Sequence, residues 1–273
     1  MISVLRDITY DVRYNMHMIK IIFFDIDGTL LKLGAKEMTP RIKETLQVLH
    51  KKGIKLVLAT GRPSFVVPSF PDVVFDGTLS FNGQYCFNDH EVIYKNPMNK
   101  DDVTRIIRNA ADLAHHVQVA TSKRMVANGY EADLEEYFTI ANQRLYVADN
   151  FDEAIQTEVY QVMAAAKASE HEALLQGTKN AKIVCWWPKA VDIIPADGGK
   201  NIGMEKMLAY YGIDRSECMA FGDGGNDQDM LAYAGIGVAM GNALEEIKKI
   251  ADHVTDSADE DGIYTACKHF GLL

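Results

Sequence analysis

IKIIFFDIDGTLL, residues 19–31, joins a run of large apolar residues to two acids, Asp25 and Asp27, one residue apart. IKIIFF has the length and unbroken apolar character of a strand buried on both faces. Residues i and i+2 of a strand point to the same side, so Asp25 and Asp27 can share a site. Two carboxylates there repel each other unless a proton or a cation sits with them. Asp-Gly at a strand end is also an ordinary turn signal. Four specified residues in D-x-D-G-T are harder to dismiss. At ~1 in 20 per residue type, a match at a given position has odds on the order of 1 in 10⁵.

The neighbouring sequence supplies the rest of the layer. TPRIKETLQVLHKKG (39–53) reads as a helix, with Thr39 as N-cap, Pro40 at the first helical position and Gly53 at the stop. KLVLAT (55–60) is a second buried strand. Strand, helix and strand in this order imply a right-handed crossover and a parallel sheet. The C-terminal part alternates in the same way, with GMEKMLAYYG a helix, CMAFGD a strand, DQDMLAYAG a helix, IGVAMG a strand, and ALEEIKKIAD and IYTACKHFG helices. The middle does not alternate in this way. QYCFNDHEVIYKN (84–96) reads as a hairpin, DDVTRIIRNAADLAHH (101–116) as a helix, and VQVATS and RMVANGY as paired strands. VYQVMAAA, KIVCWW and AVDIIP supply more strands, with a helix near SEHEALLQ. The expected organisation is therefore an α/β core from residues 19–83 and 190–273, interrupted by an α+β domain at 84–189. Residues 1–18 read as an extension with no catalytic role.

The chain has 273 residues, 48% hydrophobic and 24% charged, enough for two globular cores. Its net charge of −10 argues against a general binder of nucleic acid or anionic membrane. A small anionic substrate is still compatible with that charge, because a local cation can dominate a pocket. Cys86, Cys185, Cys218 and Cys267 are scattered with no CxxC pair, which suits free thiols in a reducing cytoplasm. No apolar run approaches the ~18–20 residues of a membrane span.

Ligands of an open parallel sheet bind at the carboxyl ends of its strands. Besides Asp25, the residues there are Thr60 and Asp223. FGDGGNDQDM (221–230) places Asn226, Asp227 and Asp229 just after Asp223, beside a helix start. Asp229 reads as a plain cap. Hard oxygen ligands of this kind suit Mg²⁺. LATGRP (58–63) offers Thr60, the Gly61 amide and the Arg62 guanidinium to phosphate oxygens. PADGGKNIGMEK (195–206) offers a cation, Lys200, in a Gly-rich loop before a helix.

These four elements, in this order, resemble the haloacid dehalogenase-like (HAD) hydrolases. The insertion between the second and third resembles the cap of the Cof-type, subfamily IIB, sugar phosphatases. Asn82–Gly83, GVAMGNA (237–243) and DEDGI (259–263) extend the match. The resemblance implies a Rossmann-like core with helices on both faces and an inserted α+β cap of the C2B type. It implies that Asp25 is the nucleophile and a Mg²⁺ ligand. Asp27 would be the general acid/base, with its backbone carbonyl also on the metal. Asp223 would complete the protein ligands and Asp227 would support them, largely through water. Thr60, Gly61, Asn226 and Lys200 would hold the phosphoryl group, with Arg62 reaching the substrate. One departure stands out: Asn201 and Ile202 separate Lys200 from Gly203, where the family has glycine close behind the lysine. Lys189 is the fallback cation.

The expected activity is Mg²⁺-dependent hydrolysis of small phosphorylated metabolites, chiefly hexose phosphates, through an aspartyl-phosphate. The alternatives are a phosphomutase and a non-catalytic sugar-phosphate sensor. The expected partner is the metabolite alone, with no nucleic acid and no membrane, and the chain a cytoplasmic monomer or weak homodimer. Tyr85, Arg124, Tyr130, Trp186 and Trp187 are the cap residues expected near the substrate.

Overall fold

The computed structural model describes residues 19–140 and 143–273. The expected N-terminal extension, residues 1–18, lies outside the described residues. In chain order the elements are β1 (Ile21–Phe24), α1 (Pro40–Lys51), β2 (Lys55–Ala59), β3 (Gly77–Ser80), β4 (Tyr85–Phe87) and β5 (Val92–Lys95). Then come α2 (Lys100–Asp112), β6 (Val117–Thr121), β7 (Met125–Ala127), α3 (Ala132–Ile140), α4 (Phe151–Ala154) and β8 (Val159–Ala165). Next are α5 (His171–Leu174), β9 (Lys182–Trp187), β10 (Ala190–Ile194), α6 (Lys200–Tyr211), β11 (Cys218–Gly222) and α7 (Gln228–Tyr233). The chain closes with β12 (Ile236–Ala239), α8 (Glu245–Ile250), β13 (His253–Val254) and α9 (Gly262–His269).

An eight-stranded sheet has the order β13-β12-β11-β1-β2-β3-β4-β5. Neighbours from β13 to β3 run parallel; β4 and β5 are antiparallel additions at one edge. β1 is buried on both faces, as its continuous apolar run requires. Ile22 and Phe24 pack with Leu46, Leu49 and Phe221 on one side. Ile21 and Phe23 pack with Val57, Met204 and Ala220 on the other. α1 begins where the sequence places it: the Thr39 side chain accepts from the Ile42 amide, and Ile42, Leu46 and Leu49 are buried.

A second, five-stranded antiparallel sheet has the order β7-β6-β8-β10-β9. One of its faces carries α2, α4 and α5 around Val103, Ile106, Val162 and Val191. The other carries α3, and there Phe81 from the end of β3 joins Leu134, Phe138, Tyr160 and Met163. This is the architecture that the resemblance implies, a Rossmann-like layer with an inserted α+β cap.

The chain crosses between the sheets at places other than 83/84 and 189/190. β4 and β5 extend the large sheet, because Thr78, Leu79 and Ser80 offer β4 a free antiparallel edge. β10 pairs with β8 and β9 in the small sheet. The segments that leave and rejoin the large sheet therefore lie after Lys95 and before Lys200.

Candidate active site

The strand order reverses at β1, which has β2 on one side and β11 on the other. Such a switch point leaves a crevice at the strands' carboxyl ends. The register pairs Phe24 with Phe221, and the Asp25 amide donates to the Phe221 carbonyl at 2.9 Å. Asp25 and Asp223 therefore leave the sheet at one level, although 198 residues apart in sequence numbering. Asp25, Asp223 and Asp227 each bring a carboxylate oxygen within 4.8 Å of the others.

Gly28 makes that approach possible. Its φ is +90°, and a Cβ there would lie inside the Asp223 carboxylate, 2.7 Å from Cγ. Two donors fix Asp223: Thr29 Oγ1 at 3.1 Å and Asn242 Nδ2 at 3.1 Å. Asn242 also donates to the Gly28 carbonyl at 2.9 Å, tying the two loops together. One oxygen of Asp227 accepts the amides of Asp223 (3.0 Å) and Gly224 (2.9 Å), which folds this loop back on itself.

Lys200 is the counter-charge. It is the first residue of α6 and fully buried, with Nζ 2.6 Å from Asp25 Oδ1 and 2.5 Å from Asp227 Oδ1. Burial works against its ammonium, but Asp227 and Asp25 together raise its pKa above the ordinary value. One ammonium does not balance three acids. Burial and the Asp227 charge hold the Asp25 carboxyl well above the usual carboxylate range, though Lys200 pulls it back. Burial and then Asp227 push Asp223 up to about 7. An all-oxygen donor set carrying unneutralised negative charge fits a hard divalent cation, and Mg²⁺ is such an ion.

The segment from Thr60 to Arg62 departs from expectation at Arg62. Thr60 is buried and its Oγ1 accepts the Arg62 amide at 3.1 Å. The Arg62 guanidinium, however, forks onto Asp27, with Nε 2.7 Å from one oxygen and Nη2 2.6 Å from the other. A planar fork matches a carboxylate as well as it matches phosphate. Both Asp27 oxygens are thereby engaged by Arg62. Lys189, the fallback cation, lies on the surface against Glu136 and Asp133. Asp229 is largely exposed and faces Lys182 at 3.8 Å.

Sequence reasoning gave no role to Asn82, which is the hub of the site. It is buried and left-handed at φ 53°, ψ 40°, a region asparagine tolerates better than most residues. Its amide donates to the Thr60 carbonyl at 3.0 Å. Its Nδ2 donates to Asp192 (2.9 Å) and Gln161 (3.2 Å), and its Oδ1 accepts from Asn226 Nδ2 at 3.0 Å. Asp192 is buried on β10 and accepts from Tyr137 at 2.5 Å; Tyr137 in turn accepts from Trp186 Nε1 at 2.7 Å. One hydrogen-bonded chain therefore runs from the Asn226 loop to α3 and β9. The only sequence signal for it was the Asn82–Gly83 pair within the family resemblance.

A cavity of about 340 Å³ opens between the two sheets. Asp25, Asp27, Thr60, Gly61, Arg62, Asp223, Asn226 and Asp227 line one end. Met125, Tyr137, Phe138, Gln143, Gln161, Met163, Trp186, Trp187 and Asp192 line the other. Of the cap residues expected near substrate, Trp186 and Trp187 do line the cavity. Tyr85 packs on Phe81 and Tyr160 instead, Tyr130 is 65% exposed, and Arg124 is not among the lining residues.

Residues 22–266 match the family of haloacid dehalogenase-like hydrolases. YkrA of Bacillus subtilis, which carries a provisional phosphatase name, is 34% identical over 257 residues, covering 93% of this chain and 98% of the relative. The solved structure of the HAD phosphatase BT1666 from Bacteroides thetaiotaomicron superposes with a TM-score of 0.87 at 31% identity, covering all of both chains. That of the HAD subclass IIB sugar phosphatase BT4131 gives 0.87 at 33% identity, covering 93% of this chain and all of the other.

Proposed function

This chain belongs to the haloacid dehalogenase-like hydrolases and is a phosphoric monoester hydrolase; we propose that it acts on small phosphorylated metabolites, sugar phosphates among them, with Mg²⁺ and through phosphorylated Asp25. The observation that carries this reading is the convergence of Asp25, Asp223 and Asp227 within 4.8 Å around the buried Lys200 ammonium. We place the protein's action in the cytoplasm, on the metabolite alone, as a monomer or weak homodimer.

Asp25, Asp223 and the Asp27 carbonyl, supported by Asp227, would hold Mg²⁺, which would supply positive charge to the phosphoryl oxygens. The chain's own residues do the rest. Thr60, the Gly61 amide and Asn226 orient the phosphoryl group, and Lys200 offsets its charge. An Asp25 oxygen attacks phosphorus while the ester P–O bond breaks, and the leaving alkoxide takes the proton of Asp27. A water then gives its proton to Asp27 and attacks the aspartyl-phosphate, releasing inorganic phosphate and restoring the Asp25 carboxylate. The Arg62 fork occupies both Asp27 oxygens, so Asp27 must turn from it before it can deliver a proton.

The test is release of inorganic phosphate from p-nitrophenyl phosphate and from a hexose phosphate panel with Mg²⁺. Activity is expected to vanish with full chelation and in Asp25→Asn. Turnover that survives either change refutes the mechanism, and isomerised sugar phosphate without free phosphate would identify a mutase.

A further inference from the structure

The far end of the cavity has a consistent chemical character. Its walls are the aromatic and thioether side chains of Tyr137, Phe138, Trp186, Trp187, Met125 and Met163. Two of the polar groups among them keep room to accept further hydrogen bonds. Asp192 presents a buried carboxylate whose two oxygens take one donor each, from Tyr137 and from Asn82, leaving lone pairs on both. A Cβ on Gly61 would lie 3.4 Å from Asp192 Oδ2, so this carboxylate stands directly beyond the phosphate loop. Gln143 Oε1 is buried with no hydrogen-bond donor among the described residues. Cations are scarce by contrast. Among the described residues that line the cavity Arg62 is the one cation, and its fork is taken by Asp27. The Lys200 ammonium is taken by Asp25 and Asp227.

From this we infer that the leaving group accepted here is neutral or cationic and rich in hydrogen-bond donors, and that Asp192 is the residue that sets this preference. The inference rests on the phosphatase reading and narrows its substrate class. A second anionic group, such as a carboxylate or another phosphate, would lose its hydration among apolar walls and find Asp192 instead of a counter-charge. Hydroxyl or ammonium donors would satisfy Gln143 Oε1, which has no donor among the described residues, and would add to the donors already on Asp192. The aromatic walls suit the apolar face of a ring carrying those donors.

The experiment compares kcat/KM for three aryl phosphates near neutral pH with Mg²⁺: 4-methylphenyl, 4-(aminomethyl)phenyl and 4-carboxyphenyl phosphate. The carboxylated compound is expected to be slower than the methyl compound by about tenfold or more, and the aminomethyl compound to be at least as good as the methyl one. Asp192→Asn is expected to shrink the carboxyl penalty about fivefold or more, whatever it does to the common rate. Met125→Arg, which adds a cation to the same wall, is expected to shrink it independently, so a misfolded Asp192 variant does not protect the idea. Equal rates for the three compounds in the natural enzyme overturn the inference alone. A uniform loss on all three in Asp192→Asn, with the ratio unchanged in Met125→Arg, also overturns it and leaves Asp192 a positioning residue for Asn82. Failure to hydrolyse any of them, p-nitrophenyl phosphate included, overturns the phosphatase reading beneath it.

Discussion

Replacing Lys200 by methionine keeps the length of the side chain and removes its charge. In the native site the ammonium touches Asp25 at 2.6 Å and Asp227 at 2.5 Å, with its side chain fully buried. Two consequences follow. Removing one partner of a buried ion pair costs about 3–5 kcal/mol, because the surviving charges stay buried. That is a large share of a total stability of ~5–15 kcal/mol. Losing a positioned cation at the reacting phosphoryl group costs on the order of 10²–10³ in kcat. Asp25 suffers further: burial and Asp227 already favour its protonated form, Lys200 opposes them, and in the proposed mechanism a protonated Asp25 would not attack phosphorus. Lys200→Met should therefore lose kcat by about 10³ while binding divalent cations at least as well as the native enzyme. The assay pairs p-nitrophenyl phosphate kinetics with urea unfolding, with and without Mg²⁺. Mg²⁺ should stabilise the variant more than the native protein, since it meets more uncompensated charge. In the double variant with Asp227→Asn, the stability losses should fall short of additive by roughly 0.5–3 kcal/mol. A Lys200→Met enzyme that keeps more than about a tenth of native kcat, or strictly additive losses, would refute this electrostatic account.

Three further outcomes follow from the same geometry. Gly83 has φ +86°, and a Cβ there would overlap the Gly199 carbonyl and stand 3.1 Å from the Lys200 Cα. Gly83→Ala should thus displace Lys200, lower the melting temperature and cut kcat by about tenfold or more, of which only ~1–2 kcal/mol of stability is backbone strain. Asn82→Ala strips a donor from Asp192 and an acceptor from Asn226, and should cost about 1–3 kcal/mol in urea unfolding. Asn82→Gly removes the same bonds without the left-handed penalty, so the two variants separate lost partners from strain; equal stability of both with the native chain would sink the hub. Burial would lower the pKa of His115, but hydrogen bonds to Glu131 at 2.7 Å and Glu170 at 3.3 Å raise it above its ordinary value. The folded chain then holds that proton more tightly than the unfolded one. Its stabilisation is full below the unfolded value of about 6.5 and is lost as pH rises through the higher folded value. His115→Gln should therefore cost more at a pH of about 5.5 than at about 8.5, by urea unfolding, and the reverse order would contradict the sign.

Local pattern carried the elements whose burial is simple. Ile21–Phe24 and Lys55–Ala59 are apolar on both faces, and the strand-helix-strand order left one handedness for the crossover. β3 was not visible, because Gly77, Thr78 and Ser80 are small or polar. What buries it is its place between β2 and β4, a fact of topology. α3 was missed for a related reason: Leu134, Tyr137 and Phe138 face Phe81 and β8, a partner surface made by distant segments. Sheet membership does not divide at 83/84 and 189/190, because a strand's sequence does not state which sheet it joins. β5 and β10 look alike as patterns and end in different layers.

The same distinction runs through the site. Acids at strand ends announce themselves, because a charge after an apolar run has no cheap structural explanation. The donors that hold those acids do not. Thr29 stands inside D-x-D-G-T and Asn242 inside GVAMGNA, but neither stretch says which acid its side chain holds until both are found on Asp223. The spacing of Lys200 and Gly203, which departs from the family pattern, makes the point from the other side. A Cβ on Gly203 would press on Leu79 and on the Gly83 Cα at 3.0 Å, so that glycine serves the packing of α6 against β3. Lys200, three residues earlier, starts the helix and reaches Asp25 and Asp227. Two separate demands, close helix packing and a buried counter-charge, fall on one short segment. The interval between them can therefore change while both are still met, because α6 needs only to keep its first residue over the acids and its glycine over β3.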